Sequence, residues 1–306
     1  MLYKSLLAAS FCALTLTATA QQIGAPKETI LAYSQEWKGE RYPDGRPKVS
    51  DALVKRLKDV SIEAAWGIMG RHGFNSQFET GFERIHPDQV LAGRVVTAQY
   101  MPSRPDMRVP IVAKGKDEKR SGAPNSWPID VLQENDVYVA DGYGKIIDGT
   151  LIGDNLGNSI FAKTKTGVVF DAGVRDLEGL DQIEGFAGFV RGFDPSAIKD
   201  MLMTGINYPI RIGRVTVLPG DLVLGKKEGL IFIPAHLAEE VITGSEWIAL
   251  QDDFGHQMLR EGKFTPGEID TKWNAAIVTA FREWTKKNPS KVKMSAADLE
   301  AKIQKL

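Results

Sequence analysis

The stretch GDNLGNSIFAKTKTGVVFDAGVRD, residues 153–176, decides how this chain reads. It begins with an acid behind a glycine, in the turn-rich run Gly153-Asp154-Asn155-Leu156-Gly157-Asn158. Residues 155–165 suit a helix, and the short apolar run at residues 167–171 suits a buried strand. A small-residue bend, Ala172-Gly173, leads into Arg175-Asp176, and residues 176–180 open the next helical turn. Helix, strand and turns in that order make an α/β unit. Gly153 and Arg175 are 22 residues apart, about the length of one helix, one strand and two turns, so the strand can return to the start of its helix.

That arrangement carries chemistry. The first backbone N–H groups of a helix have no intrahelical partner and favour anions, and a glycine lets a ligand come close. A carboxylate or phosphate can dock on Asn155 and Leu156, although taken alone this feature favours Asp154 or Asn155 as a simple helix cap. Arg175 ends a buried strand, where side chains face clefts, and offers a planar fork to a carboxylate or oxyanion. Asp176 suits a hard divalent cation whose shell is mostly water, as Mg²⁺ prefers. The plain alternatives are that Asp176 caps the next helix and Arg175 pairs with a surface acid. Their combination favours one pocket in which nest, cation and guanidinium converge.

Outward from this unit, residues 51–57 read as a helix capped by Ser50 or Asp51. Residues 93–100 and 136–140 read as strands, with a further short strand at 109–112, a loop at 113–127 and a turn at 141–144. The runs at 210–212 and 215–217 break at Gly213-Arg214, and strands at 222–224 and 230–233 flank a turn at 226–229. After Pro234 the texture turns helical. Residues 235–261 have helical spacing, and Thr265-Pro-Gly-Glu268 is a capping box that predicts a helix to about residue 287. Its stripe of Ile269, Trp273, Ile277, Ala280 and Trp284 reads as packing. Residues 295–298 open a last short helix. The expectation is a polar lead-in over 21–47, an α/β domain over 48–234 and a helical extension over 235–306.

Composition narrows the classes. The chain has 306 residues, a net charge of -1 and 43% hydrophobic residues, which points to neither nucleic acid nor a membrane surface. The run at residues 114–120 is short and mixed in sign, a solvated loop. Residues 1–20 have the form of a secretory signal peptide: Lys4, an apolar segment and Ala18-Thr19-Ala20 before Gln21. The mature chain is therefore expected to be exported, periplasmic or secreted. Cys12 is the single cysteine, so disulfide and thiolate chemistry drop out. His72, His86, His236 and His256 form no zinc pattern, and GxSxG, Walker-type and strand-linked GxGxxG motifs are absent.

At these residues the chain resembles the RraA-like family, which includes 4-hydroxy-4-methyl-2-oxoglutarate aldolases. The resemblance rests on Gly153-Asp154-x-Leu156 and Asp171-x-Gly173-x-Arg175-Asp176. It is extended by Ser50-Asp51-Ala52, Gly93-Arg-Val-Val-Thr97, Leu218-Pro-Gly-Asp221, Glu228-Gly229 and Ile231-Phe-Ile-Pro234, and covers roughly residues 48–240. The tail, with Asp253-Phe-Gly255 and residues 260–267, is similar to that of longer members.

The resemblance implies a compact β-rich α/β sandwich, assembled as homotrimers or homohexamers with sites between subunits. It implies a class II, metal-dependent retro-aldol cleavage of a 4-hydroxy-2-oxo acid that releases pyruvate, with oxaloacetate decarboxylation beside it. The substrate carboxylate would sit on the backbone of Gly153, Asp154, Asn155 and Leu156. Asp176 would ligate Mg²⁺ or Mn²⁺, Arg175 would contact the oxygen that becomes the enolate, and Asp154 would position the water that protonates it. Glu228 is a candidate acid for a neighbouring subunit's site, or a surface turn residue. The expected partner is a small 2-oxo acid, with no nucleic acid and no membrane. Two other readings stand beside this one: a non-catalytic binding protein that retains the fold, and a lyase or hydrolase acting on another acidic metabolite. An exported chain is set apart from cytoplasmic ribonuclease regulation, and the insert at 113–127 and the helical tail can reshape the pocket mouth.

Overall fold

Alternating apolar residues become strands that are buried on both faces. The computed structural model describes residues 22–306; the signal peptide read at residues 1–20 lies outside the described residues. The strands are β1 (Phe78–Glu79), β2 (Glu83–Ile85), β3 (Leu91–Pro102), β4 (Asp136–Thr150), β5 (Gly167–Val174), β6 (Ala187–Phe193), β7 (Met201–Ile206), β8 (Ile210–Ile212), β9 (Val215–Val217), β10 (Leu222–Gly225) and β11 (Leu230–Ile233). The main sheet runs β1-β11-β10-β3-β4-β5-β6-β2, while β8 and β9 pair with each other. β3 to β6 are mutually parallel, and the flanking strands are antiparallel. β3 forks: its first half pairs with β10 and its second half with β7, across a bulge at Gln99/Tyr100. The result is a curled mixed sheet in an α/β fold.

The helices are α1 (Lys27–Tyr33), α2 (Asp51–Leu57), α3 (Ile62–Arg71), α4 (Pro105–Asp117), α5 (Trp127–Asp130), α6 (Asp154–Thr164), α7 (Leu177–Asp181), α8 (Ala238–Arg260), α9 (Pro266–Ile269), α10 (Ala275–Lys287) and α11 (Ala296–Ile303). Period-two alternation divides the strands between two cores. Val96, Ala98, Tyr138, Ala140, Val168 and Phe170 join Ile160 of α6 and Leu180 of α7 on one face. Val95, Val137, Val139 and Val169 turn the other way, against the β8–β9 hairpin. A third core sets α2, α3 and the first half of α8 on β10 and β11. The second half of α8 forms a fourth with α10 and α11.

Several local expectations are corrected. Residues 109–112 are not a strand and 113–127 are not all loop: α4 occupies 105–117, and a short 3-10 turn with α5 follows. The run at 114–120 therefore begins as the last turn of α4. Residues 141–144 are not a free turn, because β4 continues through them to Thr150. Gly142 is needed there for close approach, since a Cβ would stand 2.5 Å from that of Ala172. The helix from the Thr265 box ends at Ile269, although the box itself forms. Asn274 then starts α10, its side chain accepting from the N–H groups of Ala276 and Ile277. The lead-in at 21–47 contains α1, whose Ile30 is buried. Ser50 accepts from the Leu53 N–H, so the start of α2 falls where the sequence places it. Among the described residues no helix is long and apolar enough to cross a membrane.

Candidate active site

The parallel connection β4–α6–β5 brings the two ends of the opening stretch together. Gly153 precedes α6, and its carbonyl accepts the first helical bond, from Gly157 N–H at 3.0 Å. β5 returns alongside, and Arg175 N–H donates to the Ile152 carbonyl at 3.0 Å. The contact is close: a Cβ on Gly153 would stand 2.1 Å from Asp176 Oδ2 and 3.2 Å from Arg175 Nε. Two side chains 22 and 23 positions along the chain thus rest directly on the Gly153 backbone.

Arg175 and Asp176 hold each other loosely. Arg175 Nε lies 3.5 Å from Asp176 Oδ2, and each side chain is 43% exposed. So exposed a pair contributes little to stability, which leaves both groups free to engage a ligand. Asp176 has left-handed backbone angles, φ 55° and ψ 45°. Aspartate and asparagine tolerate that region better than other residues with a side chain, and such positions concentrate at functional sites.

The helix start differs in detail from the expectation. Asp154 Oδ1 accepts from Asn155 N–H at 2.7 Å, so Asn155 is not a free donor. The open donors are the Asp154 and Leu156 N–H groups, which have no backbone partner among the described residues. The Asp154 side chain lies against α7, where a Cβ on Gly179 would stand 2.9 Å from its Oδ2. Gly153, Asp154, Asn155, Leu156 and Arg175 all line one cavity of about 100 Å³. Glu228 is not brought to it: this exposed residue lies in the β10–β11 turn, across β3 and β4 from β5.

Asp176 Oδ2 occupies the space a Cβ on Gly153 would take and lies 3.5 Å from Arg175 Nε, so the site offers a divalent cation one carboxylate, and such an ion would keep most of its water. Among the described residues no cluster of three His, Cys, Asp or Glu stands ready to enclose a metal.

The family model described as RraA-like, Aldolase/RraA, matches residues 46–232. The chain belongs to this family. A protein of Halalkalibacterium halodurans, provisionally named a 4-hydroxy-4-methyl-2-oxoglutarate aldolase, is 33% identical over 28% of this chain and 42% of its own length. Protein DlpA of Legionella pneumophila is 28% identical over 53% of this chain and 24% of its own. The chain thus spans less than half the length of these curated relatives. Among solved structures, an uncharacterised protein from Pseudomonas syringae superposes with a TM-score of 0.61 at 18% identity, over 76% of this chain and 98% of that one. Streptomyces coelicolor RraAS2, described as an unusual member of the RNase ES inhibitor RraA protein family, superposes with a TM-score of 0.58 at 24% identity, over 69% of this chain and 99% of that one. These likenesses establish the RraA-like fold.

Within that fold the sequence pattern missed part of the cavity wall. Asn125 reaches it from the insert, its Nδ2 donating to the Leu151 carbonyl at 2.9 Å. Ala197 and Ile198 close another side. No motif or period marks them, because they come from irregular segments placed by tertiary packing.

Proposed function

We propose that this chain is a divalent-metal-dependent lyase that cleaves a 4-hydroxy-2-oxo acid and releases pyruvate. The observation that carries the reading is the meeting of Gly153, Arg175 and Asp176 at the start of α6. In a retro-aldol cleavage the C4 hydroxyl gives its proton to water, C4 becomes a carbonyl as the C3–C4 bond breaks, and that bond's electron pair passes to the 2-oxo group as an enolate. A proton returned to C3 completes pyruvate. The site must therefore anchor a carboxylate and hold the enolate's charge.

The chain's residues suit those tasks. The Asp154 and Leu156 N–H groups at the positive end of α6 bind the substrate carboxylate. Arg175 donates to the 2-oxo oxygen, whose charge grows as the bond breaks. Asp154 orients the water that protonates C3. Asp176 is the residue that would hold Mg²⁺ or Mn²⁺, and the bound cation would supply Lewis-acid stabilisation of the enolate oxygen. The provisional aldolase name of the Halalkalibacterium halodurans relative supports the same reaction type. We place the activity in an exported homotrimer or homohexamer, which cell fractionation and light scattering test directly.

The deciding experiment follows pyruvate release from 4-hydroxy-4-methyl-2-oxoglutarate and from oxaloacetate, coupled to lactate dehydrogenase, with Mg²⁺ or Mn²⁺ and then with chelator. Release is expected only with metal, and Arg175→Ala is expected to lower kcat about 10²–10³-fold. Asp176→Asn keeps a residue suited to left-handed angles, so its loss of activity would report the carboxylate rather than a refolded turn. Folded, metal-loaded protein that binds a 2-oxo acid without releasing pyruvate would sink the lyase reading and leave the binding-protein one.

A further inference from the structure

We infer that the chain carries a second ligand site, for a small free organic cation, in a cavity of about 380 Å³ on the other flank of the sheet. Gln77 precedes β1, Asp221 precedes β10 and Pro234 follows β11, so this wall lies beyond β3 from α6 and β5. The cavity shares no lining residue with the candidate active site.

Its chemistry has one sign. Tyr33, Trp37 and Phe74 supply aromatic surface. The His236 ring tilts against Phe74, with centroids 5.8 Å apart and planes at 57°. Glu36 and Asp221 are the acids on the wall, and among the described residues no lysine or arginine lines it. The nearby Arg41 does not line the cavity; its donors are taken by the carbonyls of Ser34, Trp37 and Gly45 and by Ser34 Oγ. Among the described residues the buried Gln77 Oε1 has no hydrogen-bond partner. Among the described residues the one hydrogen bond received by the Asp221 carboxylate comes from Leu218 N–H at 2.9 Å. Burial pushes the Asp221 carboxyl up to about 7, the behaviour of an acid that has lost water and gained no cation.

Only one ligand class answers all of this. An anion meets Glu36 and finds no cation on the wall. A neutral apolar molecule would desolvate Glu36 and Asp221 and pair neither. An alkylammonium group gains from aromatic faces and from the acids together.

The test titrates the full chain with choline and with its uncharged isostere 3,3-dimethylbutan-1-ol, read by tryptophan fluorescence and saturation-transfer NMR. Saturable choline binding is expected, about tenfold or more tighter than the isostere. Trp37→Ala should abolish it. Glu36→Gln, at an exposed position that should leave the fold intact, should weaken it several-fold and serves if Trp37→Ala does not fold. Equal affinity for both probes, choline binding unchanged in Glu36→Gln, or no saturation up to about 0.1 M overturns the proposal. Phosphatidylcholine vesicles are the second arm: sedimentation of the chain with them, lost in Trp37→Ala, would assign the site to a lipid headgroup and overturn the free cation.

Discussion

Position 153 has room for a hydrogen and nothing more. Gly153 has ordinary extended angles, φ -118° and ψ -164°, so glycine serves space there rather than backbone freedom. A methyl group would stand 2.1 Å from Asp176 Oδ2 and displace it. Gly153→Ala is thus expected to fold with nearly unchanged thermal unfolding and to lose about tenfold or more in metal-dependent pyruvate release. Full activity in that variant would show that Asp176 works from another position. Asp221 makes a separate prediction, about stability. Its carboxyl sits near 7 in the fold because it is buried, against about 4 in the unfolded chain. As pH rises from about 4 to 7 the unfolded chain gives up this proton while the folded chain keeps it, so stability falls by about 1.4 kcal/mol per pH unit and then levels off. Asp221→Asn keeps an acceptor for Leu218 N–H and removes the titration. Urea unfolding of both proteins at several pH values should show the variant gaining on the parent up to about pH 7. Parallel curves would mean that water reaches Asp221 in the fold.

Two helices reach the site because glycines let them touch. A Cβ on Gly157 of α6 would stand 2.4 Å from Leu180 Cδ2 and 3.2 Å from Ile183 Cδ1, at α7 and just beyond it. Gly157→Val is expected to push α7 away and to destabilise the fold by about 1–3 kcal/mol in urea unfolding. An unchanged midpoint would show that Leu180 swings clear. The spacing from Gly153 to Arg175 made this unit legible, because an apolar strand between two turns has few ways to fold. The β10–β11 and β8–β9 hairpins were legible for the same reason. α4 was not: Gly115 is its one buried residue, so it carries no apolar stripe, and Pro110 inside it mimics a break. The gap between α9 and α10 was hidden by the opposite effect. Ile269, Trp273 and Ile277 keep a helical spacing across residues that are not continuously helical, because all three reach the same core. Trp273 Nε1 bonds to the Ile269 carbonyl and holds the bend closed. The site residues that repeat a local pattern could be read from sequence; Asn125 and Ile198, delivered by irregular chain, could not.

Across the whole molecule, a buried charge cluster ties the segment before α2 to the sheet. Arg46 and Asp136 are both almost fully buried, with Arg46 Nη1 3.4 Å from Asp136 Oδ2. Arg94, on β3, lies 3.6 Å from Asp136 Oδ1 and donates to the Val49 carbonyl and to Asp51 Oδ1. Asp44 takes the other side of Arg46 at 2.9 Å, and the Tyr42 ring lies under its guanidinium at 4.5 Å. Residues 42–51 thus reach β4 through Arg46 on Asp136, and β3 through the bonds of Arg94 to Val49 and Asp51. The far end of the chain is tied differently. α8 packs Val241 and Ile242 beside β10 and β11, and Phe254 and Met258 among α10 and α11, so apolar packing along one helix joins the extension to the domain, with the Arg56–Glu246 and Lys293–Asp59 ion pairs beside it. The two ties should respond differently to one lost group. Removing an apolar side chain leaves a cavity, whereas removing Asp136 leaves two buried arginines with one aspartate each, Asp44 and Asp51, and no carboxylate between them. Asp136→Ala is therefore expected to cost about 3–5 kcal/mol. The loss should show in urea unfolding and in faster proteolysis of residues 22–50, with the extension still protected. A cost below about 1 kcal/mol would mean that water enters the cluster and screens the arginines, and that the segment before α2 is held by Val49 and Ile30 instead.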